Sequence, residues 1–359
     1  MNLFKDVIGQ KKITENLSRA VTGNKLHHAY LFSGQAGVGK EAVALELIRI
    51  VNCQTGKVKD GYCGECRPCR DLSSFSSDDL LYIFPTINKA GDTDKVLKEK
   101  ADMIRSGLKE KLKYKGYYKF SFKSGRFITL GQIDEIKHFA RYNSINRSKK
   151  FVVIYPAETM NKEAQNSLLK ILEEPPADLF FILISETPSF VLDTIRSRCM
   201  NIPFPALSGT DVEEYIKRYH PDVEEELVPD LVADSFGSID TLTKLLTDSG
   251  AKLVELHKNL YTIFYDSLPP KTIKMIDSFI DDIKELSDTE IDFVLRKTLT
   301  ALLNSTFGDE RKESLAIKAA IMSDFERFGI MYRRNISPRL LLINLYLNFR
   351  EEFKKWKTR

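Results

Sequence analysis

Gly34-Gln-Ala-Gly-Val-Gly-Lys40 is the stretch that decides the fold, once it is read with its flanks. Gly34, Gly39 and Lys40 match the phosphate-binding loop pattern G-x-x-x-x-G-K-[ST] at every position but the last. Before the loop runs His28-Ala-Tyr-Leu-Phe-Ser33, short and apolar enough for a buried strand. After it, residues 41–50 are rich in helix formers, with Ala42, Leu45 and Ile50 on roughly one face. Strand, glycine loop and helix supply the context in which loop amides and a helix N-terminus hold phosphates. Position 41 breaks the pattern: Glu41 stands where a Ser or Thr hydroxyl meets Mg²⁺. Like charges ~4 Å apart repel by about 1 kcal/mol in water and several-fold more in a closed site. A carboxylate beside phosphate oxygens therefore opposes hydrolysis.

Outward from the loop, the chain alternates strand and helix patterns. Asp79-Leu-Leu-Tyr-Ile-Phe84 predicts a second strand stopped by Pro85, Phe151-Val-Val-Ile154 a third, and Leu179-Phe-Phe-Ile-Leu-Ile184 a fourth. Helices are predicted over residues 11–22, over 127–141 on Ile133, Ile136 and Phe139, and after an Asn161 cap with Ala164, Leu168 and Leu172 in line. This alternation implies a parallel sheet covered on both faces. Thr210-Asp-Val-Glu213 reads as a capping box opening a helical region. Beyond it every segment reads as helix, the last opened by Ser337-Pro338 and striped by Leu341, Leu342, Leu345 and Phe349. Residues 86–125 read as an insertion. Within it Tyr114, Tyr118, Phe120 and Phe122 alternate with Lys113, Lys115, Lys119 and Lys123, which fits a lysine-protected edge strand or a nucleic-acid contact.

With 359 residues the chain has room for two or three domains, and 43% hydrophobic with 29% charged residues is an ordinary globular composition. A net charge of +4 is too mild to argue for nucleic-acid binding by itself. Residues 1–6 lack the apolar core of a signal peptide, and the run 179–184 is far short of a membrane span, so a cytoplasmic protein is expected.

Four of the five cysteines are clustered as Cys53-x9-Cys63-x2-Cys66-x2-Cys69. In a reducing compartment such spacing reads as metal ligation, and four thiolates suit a closed structural Zn²⁺ with Zn–S near ~2.3 Å. Cys199 stands apart and reads as a small buried apolar residue. A hydrolysing loop also needs an acidic pair after the third strand. Tyr155-Pro156 stands there, and Glu158 further on reads as the entry to the next helix.

Val7-Ile-Gly-Gln10, His27-His-Ala-Tyr-Leu-Phe-Ser-Gly34, the cysteine module, Asn166-Ser-Leu-Leu-Lys-Ile-Leu-Glu-Glu-Pro-Pro176 and Ser197-Arg-Cys199 follow in this order. Together they resemble the bacterial clamp-loader subunits of DNA polymerase III, within the AAA+ class. That resemblance implies an α/β P-loop domain over residues 1–207, with the zinc module at 52–70 and the insertion at 86–125. A helical lid over 208–250 and an all-helical collar over 251–359 follow from it. Motor subunits of the family keep the Ser/Thr, the acidic pair and an arginine in a Gly-Ser-x-Arg stretch; here those places hold Glu41, Tyr155-Pro156 and Gly237-Ser-Ile-Asp240. The pattern is similar to the delta-prime type, a stator without ATPase activity of its own. Gly34, Gly37, Gly39 and Lys40 are then a degenerate nucleotide loop in which ATP is at most a passive ligand. Arg198, unremarkable on its own, becomes by this resemblance an arginine finger working in trans at a neighbour's ATP site. Implied partners are the other loader subunits and, through them, the sliding clamp and primer–template DNA. An active motor-type ATPase of the same complex is the alternative, and a zinc-dependent nucleic-acid enzyme ranks behind both.

Overall fold

The computed structural model describes residues 2–55, 61–85, 127–141, 149–176, 178–247, 249–265, 269–306, 312–333 and 336–357. The expected insertion at 86–125 lies outside these residues. The chain divides into two compact units, Met1–Asp240 and Thr241–Arg359.

The first unit is built on a parallel sheet of β1 (Ala29–Ser33), β2 (Leu80–Ile83), β3 (Lys150–Ile154), β4 (Leu179–Ser185) and β5 (Met200–Pro203), in the order β2-β3-β4-β1-β5. Four strands coincide with the apolar runs in the sequence. The fifth, Met-Asn-Ile-Pro, was not foreseen: it pairs only with β1 among the described residues, and its side chains stay largely exposed. Period two sorts the strand residues onto two faces. Leu31, Val152, Ile154, Phe181 and Leu183 pack against α4 (Leu130–Arg141) and α5 (Lys162–Glu173) through Ile133, Ile136, Ala164 and Leu168. Tyr30, Phe32, Phe151, Val153 and Ile182 face α1 (Lys11–Thr22) and α2 (Lys40–Asn52) on the other side. Cys199 is buried against the first of these faces, as expected.

Helix α2 departs from the amphipathic expectation, because nearly all of it is buried, Glu41, Glu46 and Arg49 included. Its outer side is covered by residues 3–6 and by the cysteine module. Glu46 accepts the amides of Lys5 and Asp6, Tyr62 donates to the Asp6 carboxylate, and the Arg49 guanidinium lies 5.5 Å from the Tyr62 ring centre. Gly61 makes the close approach possible: at φ +82°, a Cβ there would sit 2.4 Å from the Leu3 carbonyl. Burial pushes the Glu46 carboxyl up from 4.5 to about 7, against the opposing pull of the Asp6 and Lys5 amides. The folded pKa exceeds the unfolded one, so this group's stabilisation is complete below about pH 4.5 and is lost as pH rises through about 7. Glu46→Gln should therefore flatten the fall in stability between pH 5 and 8 by on the order of 3 kcal/mol, read from urea midpoints. An unchanged slope would assign that pH dependence to other groups.

Past β5, helix α7 (Gly209–Tyr219) is capped two residues earlier than the sequence suggested. Ser208 is the N-cap and Asp211 completes the capping box, because Thr210 already lies inside the helix. Then come α8 (Val228–Ser235) and α9 (Ile239–Leu245). The second unit holds α10 (Ser249–Tyr265), α11 (Pro269–Ile283), α12 (Asp288–Thr306), α13 (Lys312–Arg333) and α14 (Pro338–Lys357), with α6 (Asp193–Arg196) belonging to the first unit. Its core is aromatic: Phe264 meets Phe325, Tyr346 and Phe349 at ring separations of 5.5, 6.1 and 5.3 Å. Leu315, Met322 and Ile330 of α13, and Leu340 and Leu347 of α14, are exposed. Among the described residues no helix is long and apolar enough to cross a membrane.

Candidate functional site

The glycine loop leaves β1 at its C-terminal end, and α2 starts at Lys40. Residues 236–240 of the same chain pack against the loop. Ile239 N–H donates to the Gly37 carbonyl at 3.0 Å, and Gln35 Nε2 donates to the Phe236 carbonyl at 2.9 Å. Gly37, at φ +70°, is pressed so closely that a Cβ would lie 2.3 Å from Asp240 N and 2.6 Å from Ser238 Oγ. In a nucleotide-holding loop the lysine reaches β- and γ-phosphates. Here Lys40, 4% exposed, donates to the carbonyls of Gly34 at 2.6 Å and Gln35 at 2.5 Å.

Acids and phenols surround the loop where a metal-bound phosphate would need hydroxyls and cations. Glu41, buried, accepts from the Tyr82 phenol of β2. Tyr155, which replaces the first acid after β3, donates to Glu186 at 2.9 Å. Burial, then the neighbouring charge of Glu41 for Tyr82 and of Glu186, Glu41 and Asp240 for Tyr155, holds both phenols far above their ordinary range. Both phenols stay protonated, so neither can act as a base toward water. Glu158 does not open the next helix, which Asn161 caps; it accepts the amides of Glu186 and Thr187 at 2.9 and 3.3 Å, anchoring the turn that follows β4.

Arg198 lies elsewhere. Tyr30 pairs with Met200 and Ser33 with Pro203 in parallel register, so the loop follows one end of the sheet while Arg198 precedes β5 at the other. At ~3.3 Å per residue this separates them by roughly 10 Å or more along the strands. Arg198 is about one-third exposed; its Nη2 donates to Glu173 at 2.7 Å and its Nη1 to the Thr194 carbonyl at 2.9 Å.

Cys53, Cys63, Cys66 and Cys69 come together, their sulfurs all within 4.8 Å of one another. One tetrahedral ion with Zn–S near ~2.3 Å needs sulfurs about 3.8 Å apart, a small contraction. The amides of Cys66 and Glu65 donate to Cys63 Sγ at 3.3 and 3.4 Å and pull its thiol down to about 6. The Cys63 amide donates to Cys53 Sγ at 3.3 Å. Amides aimed at sulfur favour thiolates, so this donor set fits a metal ion, and burial of Cys69 is the opposing influence that a cation would offset.

A family model described as DNA polymerase III, delta subunit, matches residues 9–208. Two curated relatives are DNA polymerase III subunit delta' proteins. That of Pseudomonas aeruginosa is 31% identical over 65% of this chain and 61% of its own length; that of Bacillus subtilis is 28% identical over 70% and 60%. The chain belongs to this delta-prime family. The matches thus span about three-fifths of each of those two relatives. The tau subunit of Bacillus subtilis is also similar, 31% identical over 57% of this chain and 30% of its own.

The sequence singles out the loop, the four cysteines and Arg198, but not the residues that surround them. Tyr82 and Glu186 carried no signal, one lying inside the apolar run of β2 and the other just past the end of β4. Glu173 was visible only as part of a Glu-Glu-Pro-Pro helix stop, 25 positions from the arginine it meets.

Proposed function

We propose that this delta-prime chain is a non-hydrolysing stator of a replicative clamp loader, and that it supplies Arg198 in trans to the ATP site of a neighbouring motor subunit. The observation that carries this reading is the division between the two ends of the sheet. At one end residues 236–240 pack against the nucleotide loop, and the buried carboxylate of Glu41 follows its lysine. At the other an arginine stands at the surface, out of reach of that loop. An arginine finger acts on charge developing on a transferring phosphoryl group, and only a site on another subunit can present one to Arg198. Gly34, Gly37, Gly39 and Lys40 then serve as a strand-to-helix joint, and ATP is not expected to be hydrolysed there.

The remaining parts fit the same role. Cys53, Cys63, Cys66 and Cys69 hold one structural Zn²⁺, whose charge keeps the four sulfurs deprotonated and ties the module to α2. Residues 208–250 act as lid and 251–359 as collar. Exposed Leu315, Met322, Ile330, Leu340 and Leu347 give the collar apolar surface for sister subunits. Through the loader, the sliding clamp and primed DNA are the distant partners, and the work is cytoplasmic. The test is ATP hydrolysis by co-purified motor subunits carrying either the native chain or Arg198→Ala. Slower hydrolysis with an intact complex supports the stator, and equal rates remove the trans-acting role. Turnover by the chain alone would favour the motor-type reading suggested by its similarity to tau.

A further inference from the structure

We infer that Glu173 is a positioning residue for Arg198, bracing the guanidinium in the direction it must point; this rests on the trans-acting reading above. The brace comes from two elements. Glu173 is the last residue of α5 and accepts from Nη2 at 2.7 Å, while the Thr194 carbonyl of α6 accepts from Nη1 at 2.9 Å. A guanidinium has five N–H donors in a rigid fork, so these two bonds, one from each terminal nitrogen, leave three donors for an anion.

Glu173 is poorly placed for any other task. A carboxylate in the last turn of a helix faces the negative end of the backbone dipole and is unfavourable there unless a cation sits beside it. Its backbone is nonetheless firmly set. Leu168 and Leu172, on the same helix, are buried in the sheet-facing core, and Pro175-Pro176 bar any continuation of the helix. The Glu173 half of the brace therefore ties the arginine to the rigid sheet layer as well as to its own turn.

Arg196 shows the contrast. Its partner Asp193 lies in the same four-residue helix, three positions away, and is 87% exposed. Such a pair moves as one unit and fixes nothing relative to the sheet. Arg198 alone of the two is held across elements. The Glu173 pair is half in water and easily exchanged, so it orients the side chain without locking it away from a phosphate.

The test is a double-mutant cycle in the assembled loader, measuring steady-state ATP hydrolysis. Glu173→Ala should lower kcat about 3- to 10-fold at the site served by Arg198, the scale expected from misplacing a reacting group by a fraction of an ångström. KM for ATP and complex assembly should not change, which separates positioning from a loss of folding. Glu173→Gln keeps an acceptor oxygen and should recover most of the rate. Combining Glu173→Ala with Arg198→Ala should be no slower than Arg198→Ala alone, because the brace then has nothing to hold. If Arg198→Ala slows hydrolysis while Glu173→Ala does not, or if the two effects simply multiply, the positioning role is wrong and the finger stands. If Arg198→Ala itself has no effect, the trans-acting reading fails, and this inference with it.

Discussion

Arg198→Ala is expected to leave the isolated chain unaltered and to slow a reaction that the chain does not itself perform. The side chain is partly exposed and its pair with Glu173 is solvent-screened, so the stability change should stay within about 1 kcal/mol. Metal content and assembly should match the native chain. At the neighbouring ATP site the loss should be large, since fingers of this kind contribute on the order of 10³–10⁵ in rate in other P-loop systems. A loader with several ATP sites loses only the share routed through this one, so the bulk rate falls by less. Clamp loading should suffer more than bulk hydrolysis if the sites must fire together. Arg196→Ala is the matched control, two residues away and paired only to its own helix. Equal effects from the two substitutions would mean that charge near the interface, and not the position of Arg198, is what matters.

Removal of the metal should have the second largest effect, and a local one. The chain as purified without chelator should carry one Zn²⁺, measured by elemental analysis, and Cys69→Ala or strong chelation should release it. Structural zinc sites in finger peptides bind with apparent energies of about 10–16 kcal/mol at neutral pH, which is also their folding energy. The cysteine module has little else to order it: Pro68 and Cys69 are buried, and helix α3 (Arg67–Ser73), which carries them, is only two turns long. Loss of the ion should therefore loosen Gly61 and Tyr62, and with them the cover that residues 3–6 give α2. Amide exchange in residues 3–6 should rise while β1, β3 and β4 stay protected. Cys199→Ser should retain the metal, because Cys199 packs in the core on the opposite face of the sheet. Substoichiometric zinc, or unchanged exchange after chelation, would contradict this assignment.

Four strands were legible because each is an apolar run of the right length, and the glycine loop because its spacing is dictated by phosphate geometry. β5 was not, since Met-Asn-Ile-Pro is a short exposed edge with neither alternation nor a buried run. The full burial of α2 was hidden by Glu46 and Arg49, whose partners at residues 5, 6 and 62 come from segments distant in sequence. The departures at Glu41 and Tyr155-Pro156 could be read because those positions are defined by the motif. The packing of the loop could not: Asp240 and Ser238 reach Gly37 across some 200 residues of chain. Four cysteines at metal spacing announced themselves, whereas the amides that favour their thiolates depend on the turn between Cys63 and Cys66.

The central claim is that the chain is inert toward ATP in cis yet contributes to hydrolysis in trans. The most direct measurement compares ATP turnover by this chain alone, by the motor subunits alone, and by the two together on primed DNA with the clamp. The account predicts no turnover by the chain alone and a rate for the complex above that of the motor subunits by themselves. Turnover by the isolated chain that Lys40→Ala abolishes would contradict it.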